Sequence, residues 1–454
     1  MNLVQALRLS LNEAVALVGA GGKTTAIFQL ARQLPPPVIV SVTTHLGIQQ
    51  ARFADQHFIV RSADDLAILQ DSISPEVILV TGDSTREGRL AGLPIDLMNT
   101  LFNITKERAI PLLIEADGAR QKPLKAPADY EPVIPEFVNL VVLMAGLSGL
   151  GKPLTSEWVH RPERFTEISG LAVGEAISLQ ALQRVLTSSN GGLKGIPDGC
   201  RRIVLFSQAD SSETQAQAQR MADNLLDHFS AVCVASLGTP NEFQEASLAG
   251  GLNLPIIRAV HERIAGVILA GGGSKRLGKP KQILTWRGNT FVQQCISMAL
   301  TAGLSPVILV TGAYHDQIIK LVNTESVRVI RNLDWESGQS TSVKSSLGVL
   351  PPNIGGVIFL LVDQPHIPDT LIRALVELHA ISMAPIIAPL VKGQRGNPVL
   401  FDRDTFPDFA YLHGDQGGRA LFARYTVRWL EWQDESILLD VDSPEDYQRL
   451  LDFE

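Results

Sequence analysis

Cysteine is scarce in this chain. Cys200, Cys233 and Cys295 are the only three in 454 residues, and they lie far apart without a C-x-x-C pair or a His-rich neighbourhood. That spacing excludes a disulfide framework and offers no zinc site, so each cysteine is read as a core residue. Long apolar runs are missing too: no uninterrupted stretch reaches the ~18 residues of a membrane span. The first residues, Met1-Asn-Leu-Val-Gln-Ala-Leu-Arg8, lack a basic region followed by an apolar one. These absences predict a cytoplasmic protein without membrane contact. Positive charge is also in deficit, since 39 Lys and Arg face 47 Asp and Glu for a net charge of −8. A surface of that sign argues against a nucleic-acid partner.

What is present is a globular composition, 45% hydrophobic and 19% charged, in a chain of 454 residues that is too long for one ordinary core. Apolar strand-like runs at 15–18, 38–42, 77–80, 112–114, 140–144 and 203–206 alternate with helical patterns. Alternation of this kind reads as α/β with a mostly parallel sheet. From about Ser236 to Arg263 the chain is punctuated by Gly, Pro and Asn, and Gly250-Gly251 breaks the helical pattern. The expectation is two α/β domains with mostly parallel sheets: a P-loop-like domain over residues 1–258 and a Rossmann-like domain over 259–454.

In the first half, Gly19-Ala-Gly-Gly-Lys-Thr-Thr25 follows a strand-like run and opens a helical pattern over 26–34. Gly22 and the helix N-terminus would offer backbone N–H groups to a nucleotide, Lys23 would contact its β and γ phosphates, and Thr24 would contact Mg²⁺. The loop is shorter than the usual one, which would need a glycine where Leu17 stands, and it resembles that of the Mur-type ligases. Leu112-Leu-Ile-Glu-Ala-Asp-Gly118 places Glu115 and Asp117 at the end of another strand, with Asp117 a candidate metal contact. His45 follows the second strand beside two threonines. Ser207-Gln-Ala-Asp210 occupies a base-reading place but lacks the Asn and Lys such a motif carries. Glu-Ala-Asp-Gly-Ala, Pro-Leu-Lys-Ala-Pro, Glu131-Pro-Val-Ile-Pro135, Gly151-Lys-Pro-Leu154 and His160-Arg-Pro-Glu163 closely resemble the selenium-dependent hydroxylase accessory family (YqeC-like). That resemblance covers roughly residues 5–235. It implies a nucleotide-binding accessory role, with ATP or GTP as a second nucleotide and transient contact with an apo molybdenum hydroxylase.

The second half is organised around a short apolar run, 267–270, that empties into Gly271, Gly272 and Gly273. Lys275, Arg276, Lys279 and Lys281 follow as four cations within seven residues. Glycines allow positive φ and remove Cβ atoms, so successive N–H groups can hold an anion, here a nucleoside triphosphate. No Gly-Lys-Ser/Thr closes this loop, which points to attack on an α-phosphate rather than γ-phosphoryl transfer. Gly356-Val-Ile-Phe-Leu-Leu-Val-Asp-Gln-Pro365 is a buried-strand pattern ending in Asp363, a hard oxygen ligand suited to Mg²⁺. Asp442, in Leu439-Asp-Val-Asp-Ser-Pro-Glu-Asp446, is a second carboxylate, and Ser443 reads as an N-cap.

Leu269, Ala270, Gly272, Ser274, Arg276, Leu277, Gly278 and Lys281 fall on the L-A-x-G-x-S-x-R-[ML]-G-x-x-K signature. The segment thereby resembles the nucleotidyltransferases that include molybdenum cofactor cytidylyltransferase. The run Arg331-Asn-Leu-Asp-Trp-Glu-Ser-Gly-Gln-Ser-Thr-Ser-Val343 resembles that family's nucleobase pocket, implying Gly338 and Ser342 as base contacts. Arg395-Gly-Asn-Pro-Val-Leu-Phe401 and His413-Gly-Asp-Gln-Gly-Gly-Arg419 match its later motifs near the acceptor. The resemblance implies transfer of CMP from CTP to molybdopterin with release of pyrophosphate. It implies a triphosphate held by Leu269 to Ser274, metal on Asp363 and Asp442, Arg276 on the outgoing phosphates, and Lys281 on charge growing at the α-phosphate. Leu269-Ala-Gly-Gly272 is closer to the guanylyl-transferring branch, whereas Gly278-Lys-Pro-Lys-Gln282 and Gly396-Asn-Pro-Val-Leu-Phe401 favour CTP. Guanylyl or sugar-phosphate transfer, and a non-catalytic molybdenum cofactor chaperone, are the alternatives.

Overall fold

The computed structural model describes residues 1–85, 88–238, 256–274 and 277–452. The chain divides into two compact units, Met1–His261 and Glu262–Glu454. The strand Ile256–Glu262 runs through the 258/259 boundary expected from the sequence. Its polar Arg258, His261 and Glu262 disguise it as linker, because they interrupt the apolar pattern by which a buried strand is read.

Unit one is built on a nine-stranded sheet. Its order is Ile256–Glu262, Ala231–Ser236, Arg201–Ser207, Leu140–Gly146, Ala14–Gly19, Leu112–Glu115, Val38–Val42, Val77–Thr81, Gln56–Ile59. All six residues of Ala14–Gly19 are buried, as a central strand covered on both faces requires. It runs parallel to Leu140–Gly146 on one side and to Leu112–Glu115 on the other. The strands of this sheet that follow it in the chain up to Leu112–Glu115 lie on one side of it and those from Leu140–Gly146 onward lie on the other, which makes it the switch point of the sheet. Gly19, Glu115, Gly146 and Ser207 all end strands at the same, carboxyl edge.

Unit two has its own eight-stranded sheet. The path runs Arg328–Arg331, Val307–Thr311, Ile264–Ala270, Gly356–Leu361, Val399–Asp402, Ile386–Val391, Gln394–Arg395, with Val427–Glu431 beside Ile386–Val391. The first four are mutually parallel, and Val399–Asp402 is inserted antiparallel to both its neighbours. Within Ile264–Ala270, Ile264, Ile268 and Ala270 join one apolar cluster while Ala265 and Val267 join another. The two-residue alternation therefore feeds two cores, one on each face. The helix Phe291–Thr301, capped by the Thr290 side chain, buries Val292, Cys295, Ile296 and Ala299 as its spacing predicts. Leu300, eight residues after Val292, is 40% exposed, whereas Met298 is buried in the core.

Candidate active site

The glycine loop of unit two leaves the carboxyl end of Ile264–Ala270. None of Gly271, Gly272 and Gly273 takes a positive φ, contrary to the reason expected for them; Ser274 does, at +47°. Close approach is what two of the glycines permit. A Cβ on Gly271 would lie 3.2 Å from Ser342 Oγ, and one on Gly273 would lie 3.2 Å from the Trp335 ring. Gln282, fully buried, donates from Nε2 to Ala270 O at 3.1 Å and Gly272 O at 2.8 Å. Tyr314 OH donates to Gly273 O at 3.0 Å, and Lys281 N donates to Ser274 Oγ at 3.0 Å. The loop is thus held from behind through its carbonyls. Lys275 and Arg276, the latter assigned to the outgoing phosphates, lie outside the described residues.

Lys281 starts a short 3₁₀ turn after Pro280, and its ammonium lies between two carboxylates. Nζ is 2.5 Å from Asp363 Oδ2 and 3.1 Å from Asp442 Oδ1. Burial opposes the charge of Lys281, but Asp363 and Asp442 outweigh it and hold its pKa above the ordinary value. Among the described residues, Asp363 Oδ1 is buried without a hydrogen-bond partner. Asp363 also fixes the second acidic segment, because Val441 N donates to its carbonyl at 3.1 Å. Ser443 then caps the helix Pro444–Leu451, exchanging bonds with Asp446, so the cap and the carboxylate roles fall on different residues.

A third carboxylate, Asp440, was not singled out by the sequence motifs. Burial, then the neighbouring Asp363 and Asp442 charges, push its pKa up to about 6. The signal was available: Asp440 and Asp442 are two apart, and alternate residues of an extended segment share a side.

The motif residues around Gly338 are drawn together by long-range contacts. Gly338 has φ +104°, and a Cβ there would meet Gly414 C at 2.2 Å, so the nucleobase and acceptor motifs touch through two glycines. Ser340 N donates to Gly414 O at 3.0 Å. Ser342, only 6% exposed, accepts from Asn332 Nδ2 at 2.9 Å, which fixes its hydroxyl beside Gly271. Gly338 N is spent on Trp335 O at 3.2 Å. In this geometry Gly338 shapes the turn, while Ser342 and Trp335 line the loop. Asn332, quoted within this motif but given no role by the sequence reading, orients Ser342.

The first unit has a second constellation at its sheet edge. Gly19, Gly21 and Gly22 all have positive φ, between +89° and +105°, and Gly22 precedes the helix Lys23–Gln33. A Cβ on Gly19 would lie 2.3 Å from Met144 O, so both conformation and space demand glycine. Lys23 is 4% exposed and folds back, donating to Gly19 O at 2.7 Å with Asp117 Oδ1 at 3.1 Å and Glu115 Oε1 at 3.9 Å. Burial opposes its charge, and Asp117 and Glu115 overcome this to keep its pKa raised. Asp117 Oδ2 accepts from Gly19 N at 3.0 Å and pairs with Lys125 at 2.7 Å. Lys125 in turn meets Glu131, which also pairs with Arg161. Thr24 donates to Glu115 Oε2 at 2.9 Å, so Glu115 rather than Asp117 stands beside the threonine. Burial, opposed by Lys23, raises the Glu115 pKa.

Ser207 Oγ donates to Gly21 O at 2.5 Å, which ties the Ser207-Gln-Ala-Asp210 segment to the loop backbone. His160 pairs in register with Lys125 and lies near Arg161; burial and these cations push its pKa down to about 4. His45 is exposed on a short strand that pairs with Ala91. No helix among the described residues is long and apolar enough to cross a membrane.

Each α/β unit thus carries a glycine loop at the carboxyl edge of its sheet, the second with Lys281 between Asp363 and Asp442, and open α/β sheets bind their ligands at that edge. Residues 15–163 match the YqeC protein family and residues 266–429 match the MobA-like NTP transferase domain. The chain belongs to the YqeC family through its N-terminal part and carries a nucleotidyltransferase domain of the MobA-like family in its C-terminal part. It is 31% identical over 211 residues to the uncharacterized protein YqeC of Escherichia coli K12, covering 45% of this chain and 80% of that one. It is 31% identical over 198 residues to nicotine blue oxidoreductase of Paenarthrobacter nicotinovorans, covering 41% of this chain and 96% of that one. Molybdenum cofactor cytidylyltransferase of E. coli K12 is 25% identical over 182 residues, covering 40% of this chain and 92% of that one.

Proposed function

We propose that the C-terminal domain is a molybdenum cofactor cytidylyltransferase, which transfers CMP from CTP to the terminal phosphate of molybdopterin and releases pyrophosphate. The observation that carries this reading is the centre at Asp363, where one carboxylate oxygen faces Lys281 and the other is buried with no partner among the described residues. A buried, unpartnered carboxylate oxygen is costly unless a ligand completes it. Asp363 and Asp442 are hard oxygen donors that fit Mg²⁺, and Mg²⁺ bound there would polarise the α-phosphate. Lys281, released from the carboxylates, donates to a nonbridging α-phosphate oxygen as its charge grows in the transition state. The loop from Leu269 to Ser274 holds the triphosphate, with Arg276 on the departing pyrophosphate. No general base is needed, because an attacking phosphate is already ionised.

The N-terminal domain, in this reading, binds ATP or GTP through Gly22, Lys23 and Thr24, and the carboxylate that would meet a metal beside Thr24 is Glu115, since Asp117, the sequence-based candidate, is engaged by Gly19 N and Lys125. It serves maturation of a molybdenum hydroxylase in the cytoplasm, in transient contact with the apo enzyme. Gly271 favours one second reading, guanylyl transfer, because the absent Cβ leaves room beside Ser342 for a larger base. Pyrophosphate release from CTP or GTP, with and without molybdopterin, tests both. Turnover with neither nucleotide would refute the assignment.

A further inference from the structure

His379 sits where the helix Asp369–Ser382 calls for an apolar residue. Leu371, Leu375 and His379 recur at every fourth position on its buried face, and His379 is only 1% exposed. Two carboxylates meet it there. Asp402, 2% exposed, closes the buried strand Val399–Asp402, and Glu262, 9% exposed, is the first residue of unit two. His379 Nε2 lies 2.7 Å from Asp402 Oδ2. With Glu262 included, one imidazole nitrogen and two carboxylate oxygens all lie within 4.8 Å of one another. Ionisable groups are kept at core positions where they are paired or coordinate a metal.

The surroundings hold these donors in place. Asp402 Oδ1 accepts from Asp404 N at 2.9 Å and Asp402 N donates to Pro385 O at 2.9 Å, which leaves Oδ2 turned to the imidazole. Arg403 N donates to Gly355 O at 2.9 Å, so Gly355 is drawn beside Asp402. Glu262 lies flat against that glycine: a Cβ on Gly355 would be 2.5 Å from Glu262 Oε2. Only glycine leaves room for the carboxylate. In the sheet, Gly356 pairs with Asp402 on one side and with Ile264 on the other. The three donors therefore gather at the amino end of the strands whose carboxyl ends carry the glycine loop and lead to Asp363. Six strand residues at about 3.3 Å each put the two ends roughly 20 Å apart.

We propose that Glu262, His379 and Asp402 bind one divalent transition-metal ion, Zn²⁺ by the chemistry of the donors, at a site separate from the nucleotide centre. Zn²⁺ accepts imidazole nitrogen together with carboxylate oxygen, whereas Mg²⁺ and Ca²⁺ are served by oxygen alone. Bonds of about 2.0–2.1 Å set tetrahedral ligand atoms roughly 3.3 Å apart, so a shift of about 1.5 Å closes the cluster on the ion. Three protein ligands leave the fourth position to a water. The ion takes the place of the proton between His379 and Asp402, which passes to solvent, and its two charges offset those of the two carboxylates. Bound there, it ties the helix Asp369–Ser382, the antiparallel strand Val399–Asp402 and the start of unit two at one point. The site requires nothing of the transfer reaction.

The test is Zn²⁺ calorimetry on the full-length chain after dialysis against a chelator, with excess Mg²⁺ present to fill oxygen-only sites. Wild type and Asp363→Asn should bind one Zn²⁺ with affinities within about twofold of each other, and His379→Gln, Asp402→Asn and Glu262→Gln should each weaken it by at least about 100-fold. Zn²⁺ should raise the melting midpoint of the wild type and leave those of the three variants unchanged. Glu262 is the most exposed of the three, so Glu262→Gln carries the reading should the variants at His379 and Asp402 not fold. Wild type that takes up no Zn²⁺, or Zn²⁺ bound equally by wild type and Glu262→Gln, overturns the site. Loss of the ion in Asp363→Asn would assign it to the nucleotide centre and overturn the site as well. Mn²⁺ bound more tightly than Zn²⁺, with the same loss in the variants, would uphold the site and overturn the choice of ion.

Discussion

Lys281 and Asp363 face each other across 2.5 Å, with Asp442 3.1 Å away on the lysine's other side. The same ammonium proposed to act on the α-phosphate therefore occupies the carboxylates proposed to hold the metal. Lys281→Ala should lower kcat by about 10²–10³ with the KM for CTP nearly unchanged, as for other donors that act on transition-state charge. It should also lower the Mg²⁺ concentration needed for half-maximal rate, since the carboxylates lose a competing cation. Steady-state rates across a Mg²⁺ series measure both, and a change in KM alone would refute the role.

Asp363→Asn should move the Mg²⁺ requirement the opposite way. An amide is a poorer ligand than a carboxylate for a hard cation, so half-saturation should rise while turnover falls. Titration with Mg²⁺ indistinguishable from the wild type would remove Asp363 from the metal site.

CTP should exceed GTP in kcat/KM by at least about tenfold, roughly 1.4 kcal/mol of transition-state preference. Because a Cβ on Gly271 would press on Ser342 Oγ at 3.2 Å, Gly271→Ala should narrow that side of the site and widen the margin. Competition between the two nucleotides in one reaction measures it. Preference for GTP, in either protein, contradicts the cytidylyl assignment.

In the N-terminal unit, Lys23→Ala should abolish nucleotide binding at Gly19 to Thr25 while pyrophosphate release by the C-terminal domain persists. It also leaves Asp117 and Glu115 without their buried partner. A loss of about 3–5 kcal/mol of stability is expected when one member of such a network is removed. Calorimetry and chemical denaturation of the full chain separate the two effects. Retained binding would show that Lys23 is purely structural.

His160 makes the first unit sensitive to acid. Its folded pKa of about 4 lies below the ordinary 6.5, so between those values the unfolded chain takes up a proton that the folded chain does not. Stability therefore rises with pH across that window and is lost as pH falls through it. His160→Gln should flatten this part of the profile. Denaturation midpoints near pH 4.5 and pH 7 that differ as much in the variant as in the wild type would exclude the histidine as the cause.

Much of the site was legible because it lies on local patterns. Apolar β-branched runs followed at once by glycines or acids mark strand ends, and Lys23, Asp117, Asp363 and Gly271 to Gly273 were found that way. Sequence pattern did not show why the glycines of unit two are glycines, since the obstacle to a Cβ is Trp335 or Ser342, more than sixty residues along the chain. Nor did it give a role to Gln282 and Asn332, which it quoted only as motif residues, because their value lies in the carbonyls and hydroxyl they hold rather than in their spacing. The strand Ile256–Glu262 was hidden for a related reason: its polar residues obscure a period of two.

The sequence by itself determined two mostly parallel α/β units, the two glycine loops that open helices or turns at strand ends, and the carboxylates that terminate strands. Each of these follows from hydrophobic period and backbone permissiveness over a few residues. Tertiary structure alone decided that Lys281 would meet Asp363, 82 residues away, and Asp442, 161 residues away. It also decided the antiparallel insertion of Val399–Asp402 beside Gly356–Leu361, and the stacking of Arg395 on the ring of Phe422. Those meetings depend on the order of strands across a sheet, and that order is selected by burying both faces at once, a condition on the whole chain that no single stretch of it expresses.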